Sequence, residues 1–276
     1  MSGPDGPRPQ ELVALASEVA REAADLLMTR YGQVAVVGTK SSPTDVVTEM
    51  DRLAETLIRE RLLAARPGDA ILGEEGGQIG SGPVRWVVDP LDGTVNYLYG
   101  LPSWAVSVAA EVAGEIVAGA VCVPLQQSTF TATLGGGAWL DSAWEGRPRQ
   151  LACNTGVGLR DALVATGFGY PADQRAVQGT VVAAVLPLVR DIRRAGVASV
   201  DLCSVAAGRV DAYYEQGTHY WDIAAGGLIA REAGASTGGL RGQPAGEAMT
   251  LAADPALFAE LHDLLAGLDA DRLPAG

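Results

Sequence analysis

Seven acidic side chains occupy positions in this sequence where chemistry could take place: Asp45, Asp51, Glu74, Glu75, Asp89, Asp92 and Asp222. Several of them follow short apolar runs that are typical of buried strands, and functional residues tend to lie in the loops at strand ends. Carboxylates that crowd together repel one another and raise one another's pKa, a cost that bound cations remove. Hard oxygen ligands of this kind suit Mg²⁺, so the set indicates a two-metal site for phosphoryl transfer.

The stretch WVVDPLDGTVNY, residues 86–97, contains two of these acids. Its first three residues are apolar and indicate the end of a buried strand. Asp89 is a favoured N-cap residue and Pro90 favours the first helical position, so we expect a sharp turn into a helix. Backbone N–H groups at a helix start attract phosphate. Two carboxylates beside such an anion site are compatible with it if divalent cations lie between them.

Each acid also has a purely structural interpretation. Asp222 could be only a helix cap, and Asp51 could lie at a helix end without a further role. Glu74 and Glu75 could belong to a solvated loop. These interpretations weaken when the acids are taken together, because four separate stretches place carboxylates where the chain direction is expected to reverse.

Composition excludes several classes of function. The chain has 276 residues, 48% of them hydrophobic, and a formal net charge of −13. A nucleic-acid-binding protein usually has a basic footprint, so we expect no nucleic acid partner. The three cysteines are far apart, which argues against a disulfide framework and favours the cytoplasm. The first residues do not resemble a signal peptide, and Glu111 and Glu115 interrupt the longest apolar stretch, so we expect no membrane span.

Apolar periodicity predicts the elements that must position the acids. Helical spacing covers residues 11–30 and 48–65, with Thr48 and Asp51 spaced as a capping pair. A short strand over 70–72 and an antiparallel meander over 104–134 follow. After about residue 155, short strands alternate with helices, the helices covering residues 173–188, 199–207, 222–233 and 255–265. The pattern predicts an α+β fold in which helices cover two sheets.

The combination of K-SSPTD-VVTEMD, GEEGG, WVVDPLDGTVNY and YYEQGTHYWDIAAGGLIAREAGA resembles the inositol monophosphatase family of Mg²⁺-dependent, lithium-sensitive phosphatases. The resemblance extends from about residue 11 to residue 265. It implies a layered αβαβα sandwich, with an antiparallel sheet in the N-terminal half and a smaller mixed sheet in the C-terminal half. Residues 1–154 would bind metal and phosphate, residues 155–276 would bind substrate, and the protein would be a homodimer.

The resemblance also implies a set of metal ligands. Glu74, Asp89 and the backbone carbonyl of Leu91 would hold one Mg²⁺ ion. Asp89, Asp92 and Asp222 would hold a second. Glu74 would also act in catalysis by reaching a more weakly held third ion through water.

The remaining site residues are likewise carried over from the resemblance. Gly93 and Thr94 would bind phosphate through backbone N–H groups, and Thr94 and Asp51 would polarise the attacking water. The other predicted contacts are grouped by role: Asp92, Asp222, Ser199, Glu215 and the Gly196 region for substrate, and Lys40, Asp45 and Glu75 as supports behind the ligands. The reaction would be in-line attack of metal-activated water on a phosphate monoester, without a covalent intermediate.

The resemblance implies a small phosphorylated polyol or sugar as substrate, and we expect inositol 1-phosphate. The motivation is Glu215, which could accept inositol hydroxyls, and the lack of a second basic cluster for another phosphate. Relatives hydrolyse histidinol phosphate, fructose 1,6-bisphosphate and 3′-phosphoadenosine 5′-phosphate, and the variable segment 166–178 leaves these alternatives open. A non-catalytic protein that binds metal and sugar phosphate is a more remote alternative.

Two other phosphatase chemistries leave traces in the sequence. Cys203 and Arg209 match the C-x₅-R signature of cysteine phosphatases, but the segment has the pattern of an apolar helix rather than an anion-binding loop. DPLDGT resembles the DxDGT pattern of aspartate nucleophiles, but its acids are three positions apart rather than two. His219 is expected to pack or to support the site rather than to bind metal, because the carboxylates suffice.

Overall fold

The structure is a computed structural model that describes residues 6–33, 36–39 and 46–272. For residues 36–39 and 46–47 it describes the backbone alone. The predicted supports Lys40 and Asp45 lie outside the described residues.

Seven α-helices lie within these residues: α1 (Pro9–Met28), α2 (Glu49–Ala65), α3 (Thr94–Leu98), α4 (Ala172–Val185), α5 (Ala198–Ala206), α6 (Tyr220–Glu232) and α7 (Pro255–Gly267). In the same ranges none of the helices combines the length and apolar character that crossing a bilayer requires. The capping pair predicted for α2 is present, because the Oγ1 of Thr48 accepts a hydrogen bond from Met50 and the Oδ2 of Asp51 accepts one from the N–H of Thr48.

The described strands are β1 (Val36–Thr39), β2 (Val46–Thr48), β3 (Ala70–Gly73), β4 (Gly77–Ile79), β5 (Val84–Asp92), β6 (Ala105–Val112), β7 (Glu115–Val123), β8 (Ser128–Thr133), β9 (Gly137–Ser142), β10 (Arg149–Gln150), β11 (Leu163–Thr166), β12 (Asp191–Arg193), β13 (Ala212–Glu215), β14 (Ser236–Gly238) and β15 (Thr250–Ala253). β1 and β2 form a separate antiparallel pair.

The larger sheet has eight strands in the order β10-β9-β8-β7-β6-β5-β3-β4. The predicted antiparallel meander accounts for β6 to β8, and every pair in this sheet is antiparallel except β3 with β5. The smaller sheet has five strands in the order β12-β11-β13-β15-β14, with parallel and antiparallel pairs. The α+β class and the smaller mixed sheet are as predicted.

Buried side chains divide the molecule into five layers. α1 and α2 cover one face of the larger sheet, whereas α5 and α6 lie between the two sheets. α4 and α7 cover the outer face of the smaller sheet. Successive side chains of a strand point to opposite faces, and accordingly Trp86 and Val88 of β5 lie in the outer core while Val87 lies in the central core. This is the αβαβα sandwich that the resemblance implied.

One local prediction is wrong. β5 continues through Asp89 and Pro90 to Asp92, and α3 begins only at Thr94, so Asp89 does not cap a helix and Pro90 does not begin one. The reason is tertiary: β6 continues to pair with this segment on both sides of an irregularity between Asp89 and Asp92, where a proline is tolerated. Gly93 makes the turn into α3 with a φ of +91°, a conformation that favours glycine.

The short helix α3 is fixed by an aromatic cluster. The ring of Tyr97 meets the ring of Trp104 edge-on, with centroids 5.1 Å apart, and the phenol of Tyr97 donates a hydrogen bond to the carbonyl of Leu27 at 2.6 Å. Tyr97 and Trp104 are fully buried. These contacts hold the start of α3 against α1.

Candidate active site

A cavity of about 610 Å³ lies where the ends of β3, β5 and β13 meet the start of α6. The predicted site residues that line it are Glu74, Asp89, Leu91, Asp92, Gly93, Thr94, Gly196, Glu215 and Asp222. The fold therefore brings together acids that are almost 150 positions apart in the chain, which is what a shared site requires.

The parallel pairing of β3 with β5 explains why two of the acids are neighbours. Gly73, at the end of β3, is paired with Val88, so Glu74 and Asp89 follow at the same edge of the sheet. The N–H of Glu74 donates a hydrogen bond to the carbonyl of Val88 at 3.3 Å, which continues the pairing by one residue. The Oδ1 of Asp89 accepts a hydrogen bond from the N–H of Leu91 at 3.0 Å, which stabilises the turn.

Asp92 and Asp222 face the cavity from different elements. The Oδ2 of Asp92 accepts a hydrogen bond from the N–H of Ser199 at 2.8 Å, which ties the end of β5 to the start of α5. The Oδ2 of Asp222 accepts one from the N–H of His219 at 2.7 Å, at the start of α6. The structural interpretation of Asp222 is thus correct in part, because the side chain also stabilises the helix end.

The negative charges of Asp92 and Asp222 at the cavity are unfavourable unless a positive charge compensates them. Burial raises the pKa of Asp92 to about 6, against the opposing effect of hydrogen bonds from Ser199 and Ala198. The pKa of Asp222 is raised well above its usual value, first by burial and then by the negative charges of Asp92 and Glu74. These mutually repelling carboxylates, together with the carbonyl of Leu91, are hard oxygen donors and fit divalent cations such as Mg²⁺.

The carboxylates would still have to be drawn together by the ion. Among the residues that the structure describes, no three histidine, cysteine, aspartate or glutamate side chains stand as one preassembled metal cluster. The type of donor atoms, and not a preformed coordination geometry, therefore favours a cation at this cavity.

Asp51 does not line the cavity but reaches it through Thr94. The side chain of Asp51 is fully buried, and its Oδ1 accepts a hydrogen bond from the hydroxyl of Thr94 at 2.9 Å. The same hydroxyl lies 3.1 Å from the carbonyl of Leu91. The other oxygen of Asp51 accepts hydrogen bonds from the N–H and the hydroxyl of Thr48 at 2.8 Å and 2.5 Å. The start of α2 thus orients a hydroxyl that faces the cavity.

Gly93 permits a close approach between the two halves of the chain. A β-carbon on this residue would lie 2.8 Å from the Cγ2 of Val197, so the turn cannot carry a side chain without a shift. Asn96, one turn later, donates hydrogen bonds to the carbonyls of Ser103 and Ala195, both at 2.8 Å. Sequence reasoning missed Asn96, because an asparagine in a short helix gives no signal of a contact 99 positions away.

Glu215, at the end of β13, also lines the cavity. Its Oε2 accepts a hydrogen bond from the phenol of Tyr213 at 2.8 Å, and burial raises its pKa to about 7. A β-carbon on Gly167 would lie 2.0 Å from the same oxygen, so the segment after β11 is in close contact with this carboxylate. Phe168 follows, with the guanidinium of Arg194 over its ring at 5.7 Å.

One predicted substrate contact, Ser199, does not line the cavity. Ser199 is fully buried, and Ala198 and Gly196 of the same segment line the cavity instead. Glu75 lies beyond Glu74 in the same loop and is not part of the cavity wall. The variable segment does contribute to the wall, through Phe168, Gly169, Tyr170, Pro171, Asp173 and Gln174.

The alternative nucleophile is buried away from the cavity. Cys203 lies within α5, and burial raises the pKa of its thiol well above the usual value, which disfavours a reactive thiolate. His219 lines the cavity with its ring 5.0 Å from that of Trp221, in keeping with the expected packing role.

Comparison with known proteins identifies similar chains. The sequence profile of the inositol monophosphatase family matches residues 8–268. An inositol-1-monophosphatase, SuhB, from Mycobacterium tuberculosis is 48% identical over 252 residues, covering 85% of this chain and 86% of that protein. A protein named Nus factor SuhB from Pseudomonas aeruginosa is 40% identical over 233 residues, covering 82% and 84%. The solved structure of M. tuberculosis SuhB superposes with a TM-score of 0.81 at 42% identity, covering 96% of this chain and 99% of the other.

Proposed function

Because the chain belongs to the inositol monophosphatase family, a family of phosphatases, we propose that it hydrolyses inositol 1-phosphate to inositol and phosphate in a Mg²⁺-dependent reaction. The observation that supports this function best is the mutually repelling pair of Asp92, which is buried, and Asp222, which is half-buried, beside Glu74 at one cavity. Such a pair is costly unless cations neutralise it, and cations between carboxylates and a phosphate are the basis of metal-assisted phosphoryl transfer.

The ligands would be divided between two ions, with a third held through water. Glu74, Asp89 and the carbonyl of Leu91 would hold one, and Asp89, Asp92 and Asp222 the other. When bound, the ions would lower the pKa of a water molecule and neutralise charge on the phosphate and the leaving oxygen.

The chain itself would orient the water and the phosphate. Because Thr94 donates its one hydroxyl hydrogen to Asp51, its oxygen lone pairs are left to accept a hydrogen bond from the attacking water. As the water attacks, its proton would pass to the Thr94 oxygen while the Thr94 hydroxyl hydrogen passes to the Asp51 carboxylate, which would be the final proton acceptor. The N–H groups of Gly93 and Thr94, at the start of α3, would bind the phosphate oxygens.

Substrate choice would depend on Glu215. Its carboxylate lines the same cavity as Gly93 and Thr94 and is held by Tyr213, so it could accept hydrogen bonds from ring hydroxyls of inositol. Arg194 is the only lysine or arginine among the described residues of the cavity wall, which disfavours a substrate with a second phosphate. The names of the close relatives favour the same substrate.

The test is a comparison of four phosphate monoesters at equal concentration with Mg²⁺: inositol 1-phosphate, histidinol phosphate, fructose 1,6-bisphosphate and 3′-phosphoadenosine 5′-phosphate. We expect the highest kcat/KM for inositol 1-phosphate and no phosphate release in EDTA. If inositol 1-phosphate has the lowest kcat/KM, the proposed substrate is wrong, whereas the assignment as a phosphatase remains valid. If release continues in EDTA, metal dependence is wrong, and if no monoester is hydrolysed with Mg²⁺, a binding protein is favoured.

Two further parts of the proposal rest on family membership, namely inhibition by Li⁺ and a homodimeric state. Titration of Li⁺ into the Mg²⁺-dependent assay tests the first. Light scattering of the purified protein tests the second.

A further inference from the structure

We propose that Glu55, on α2, is a positioning residue that holds the loop carrying Glu74 and thereby sets the affinity of the site for Mg²⁺. The inference rests on the proposed function, because it takes Glu74 as a metal ligand. Glu55 lies 20 positions before the loop residue it binds, and it gave no signal in the sequence beyond that of a charged helix residue.

The contacts of Glu55 are with the backbone of this loop. Its Oε2 accepts a hydrogen bond from the N–H of Glu75 at 2.7 Å, and its Oε1 accepts one from the N–H of Gly76 at 2.9 Å. Arg59, one turn further along α2, forms an ion pair with the same Oε1 at 2.7 Å and donates a hydrogen bond to the carbonyl of Gly77 at 2.8 Å. Glu55 is 3% exposed, so these charge-assisted bonds are shielded from water.

The glycines of the GEEGG motif make this approach possible. A β-carbon on Gly73 would lie 2.6 Å from the carboxyl carbon of Glu55, and one on Gly76 would lie 2.6 Å from the Nη2 of Arg59. Gly73 has no positive φ, so its requirement for glycine is steric and comes from Glu55. The motif is thus shaped to receive the two side chains of α2.

The same helix also orients the hydroxyl of Thr94. Asp51, Glu55 and Arg59 are spaced four apart and therefore lie on one face of α2. Asp51 binds Thr94, and Glu55 binds the residues directly after Glu74. Because one helix makes both contacts, it fixes the distance between the group that orients the water and the acid that holds the metal.

Glu74 is consequently held from two sides. Its N–H is bonded to the carbonyl of Val88 in β5, and the next N–H in the chain is bonded to Glu55. Weakening of the second contact would leave the loop attached to β5 and, through the hydrogen bond from Arg59 to Gly77, to α2, but would hold Glu74 less closely. We therefore expect the ligand to remain present and to be less well placed.

The test is the nearly isosteric change Glu55→Gln in the full-length protein. Calorimetric titration with Mg²⁺ in the absence of substrate should give an affinity lowered about 10- to 100-fold, the usual cost of removing a group that orients a metal ligand. Hydrogen exchange of the amides of residues 74–77 should become faster. Because the loop is misplaced rather than lost, kcat should recover at high Mg²⁺ while the Mg²⁺ concentration for half-maximal rate rises.

A second variant approaches the contact from the loop. Gly73→Ala places a methyl group against the carboxylate of Glu55 and leaves the charges of α2 unchanged, so it should lower the Mg²⁺ affinity in the same way. Two controls are matched in chemistry. Glu22→Gln removes a partner of Arg61 on the outer side of α2, and Gly68→Ala adds a methyl group where nothing lies within 4 Å. Both controls should bind Mg²⁺ as the wild type does.

The outcomes separate the inference from the proposed function. A folded Glu55→Gln protein with unchanged Mg²⁺ affinity overturns the positioning role, as does an equal loss in Glu22→Gln. If Glu55→Gln does not fold, the Mg²⁺ affinity of Gly73→Ala takes its place: an unchanged affinity overturns the positioning role. If the wild type itself binds no Mg²⁺, it is the proposed function that fails, and the inference fails with it.

Discussion

The hydroxyl of Thr94 lies 2.9 Å from the Oδ1 of Asp51, although the two residues are 43 positions apart. Asp51 belongs to the capped first turn of α2, and Thr94 begins α3 at the rim of the cavity. A helix cap and a hydroxyl at the cavity are therefore joined in one hydrogen-bonded unit.

This relationship predicts the effect of removing the hydroxyl. Thr94→Val keeps the shape of the side chain and removes both the donor to Asp51 and the acceptor for water. We expect kcat at saturating Mg²⁺ to fall about 10²- to 10⁴-fold, the range typical of proton-transfer groups. Thr94→Ser keeps the hydroxyl and serves as the control. A Thr94→Val enzyme with the kcat of the wild type would remove Thr94 from the reaction.

Asp89→Asn tests the proposed bridging ligand. The Oδ1 of residue 89 accepts a hydrogen bond from Leu91, which an asparagine oxygen can still accept, so the turn should persist. Loss of the charge should abolish turnover and weaken Mg²⁺ binding, with the thermal transition of the metal-free protein close to that of the wild type. Turnover at the wild-type rate would refute the bridging role.

Glu215→Gln tests substrate recognition. A hydrogen bond to a charged group contributes about 1.5–3 kcal/mol, so kcat/KM for inositol 1-phosphate should fall about 10- to 100-fold. Hydrolysis of phenyl phosphate, which has no ring hydroxyls for Glu215 to bind, should change little. Equal losses for the two substrates would show that Glu215 acts on the chemistry or on the fold rather than on recognition.

A prediction about pH concerns Asp201 in α5. This residue is buried, and its Oδ2 has no hydrogen-bond partner in the described chain. Burial, with the negative charges of Glu215 and Asp92, raises the pKa of its carboxyl to about 8. A carboxyl whose pKa is higher in the folded chain stabilises the fold fully below its unfolded value, and this contribution is lost as the pH rises through the folded value.

Asp201→Asn removes that titration. The free energy of unfolding of the variant relative to wild type should therefore increase from about pH 5 to about pH 8, by up to roughly 1.4 kcal/mol per pH unit. Urea unfolding of the metal-free proteins at the two pH values measures it. The control is Asp161→Asn, because the exposed carboxyl of Asp161 has an arginine, Arg190, as its partner, and no such trend is expected there. A difference for Asp201→Asn that does not change with pH would contradict the prediction.

Local signals predicted much of this fold. The capping pair at the start of α2 and the antiparallel meander of β6 to β8 depend on residues close in sequence, and both are present. The end of β5 could not be predicted in this way. Asp89 and Pro90 have the local pattern of a helix start, and only the pairing with β6, distant in sequence, keeps them in the strand.

The acids that line the cavity were likewise predicted from the sequence. The acids at the cavity could be identified from their types and from the resemblance, because metal chemistry restricts the residues that can serve. Glu55 could not, because a glutamate in a helix is usually a surface charge, and its burial depends on the loop after β3 folding back over α2. Asn96 and Gly167 were missed for the same reason.

The cavity wall has two origins. Glu74, Asp89 and Asp92 lie at the ends of strands of the eight-stranded sheet, whereas Glu215, Phe168 and Arg194 lie at the ends of strands of the five-stranded sheet. Under the proposed function, replacement of the second group of residues can change which alcohol is accepted while these three acids keep their positions. Proteins with this arrangement could therefore diverge in substrate range while they retain the same reaction.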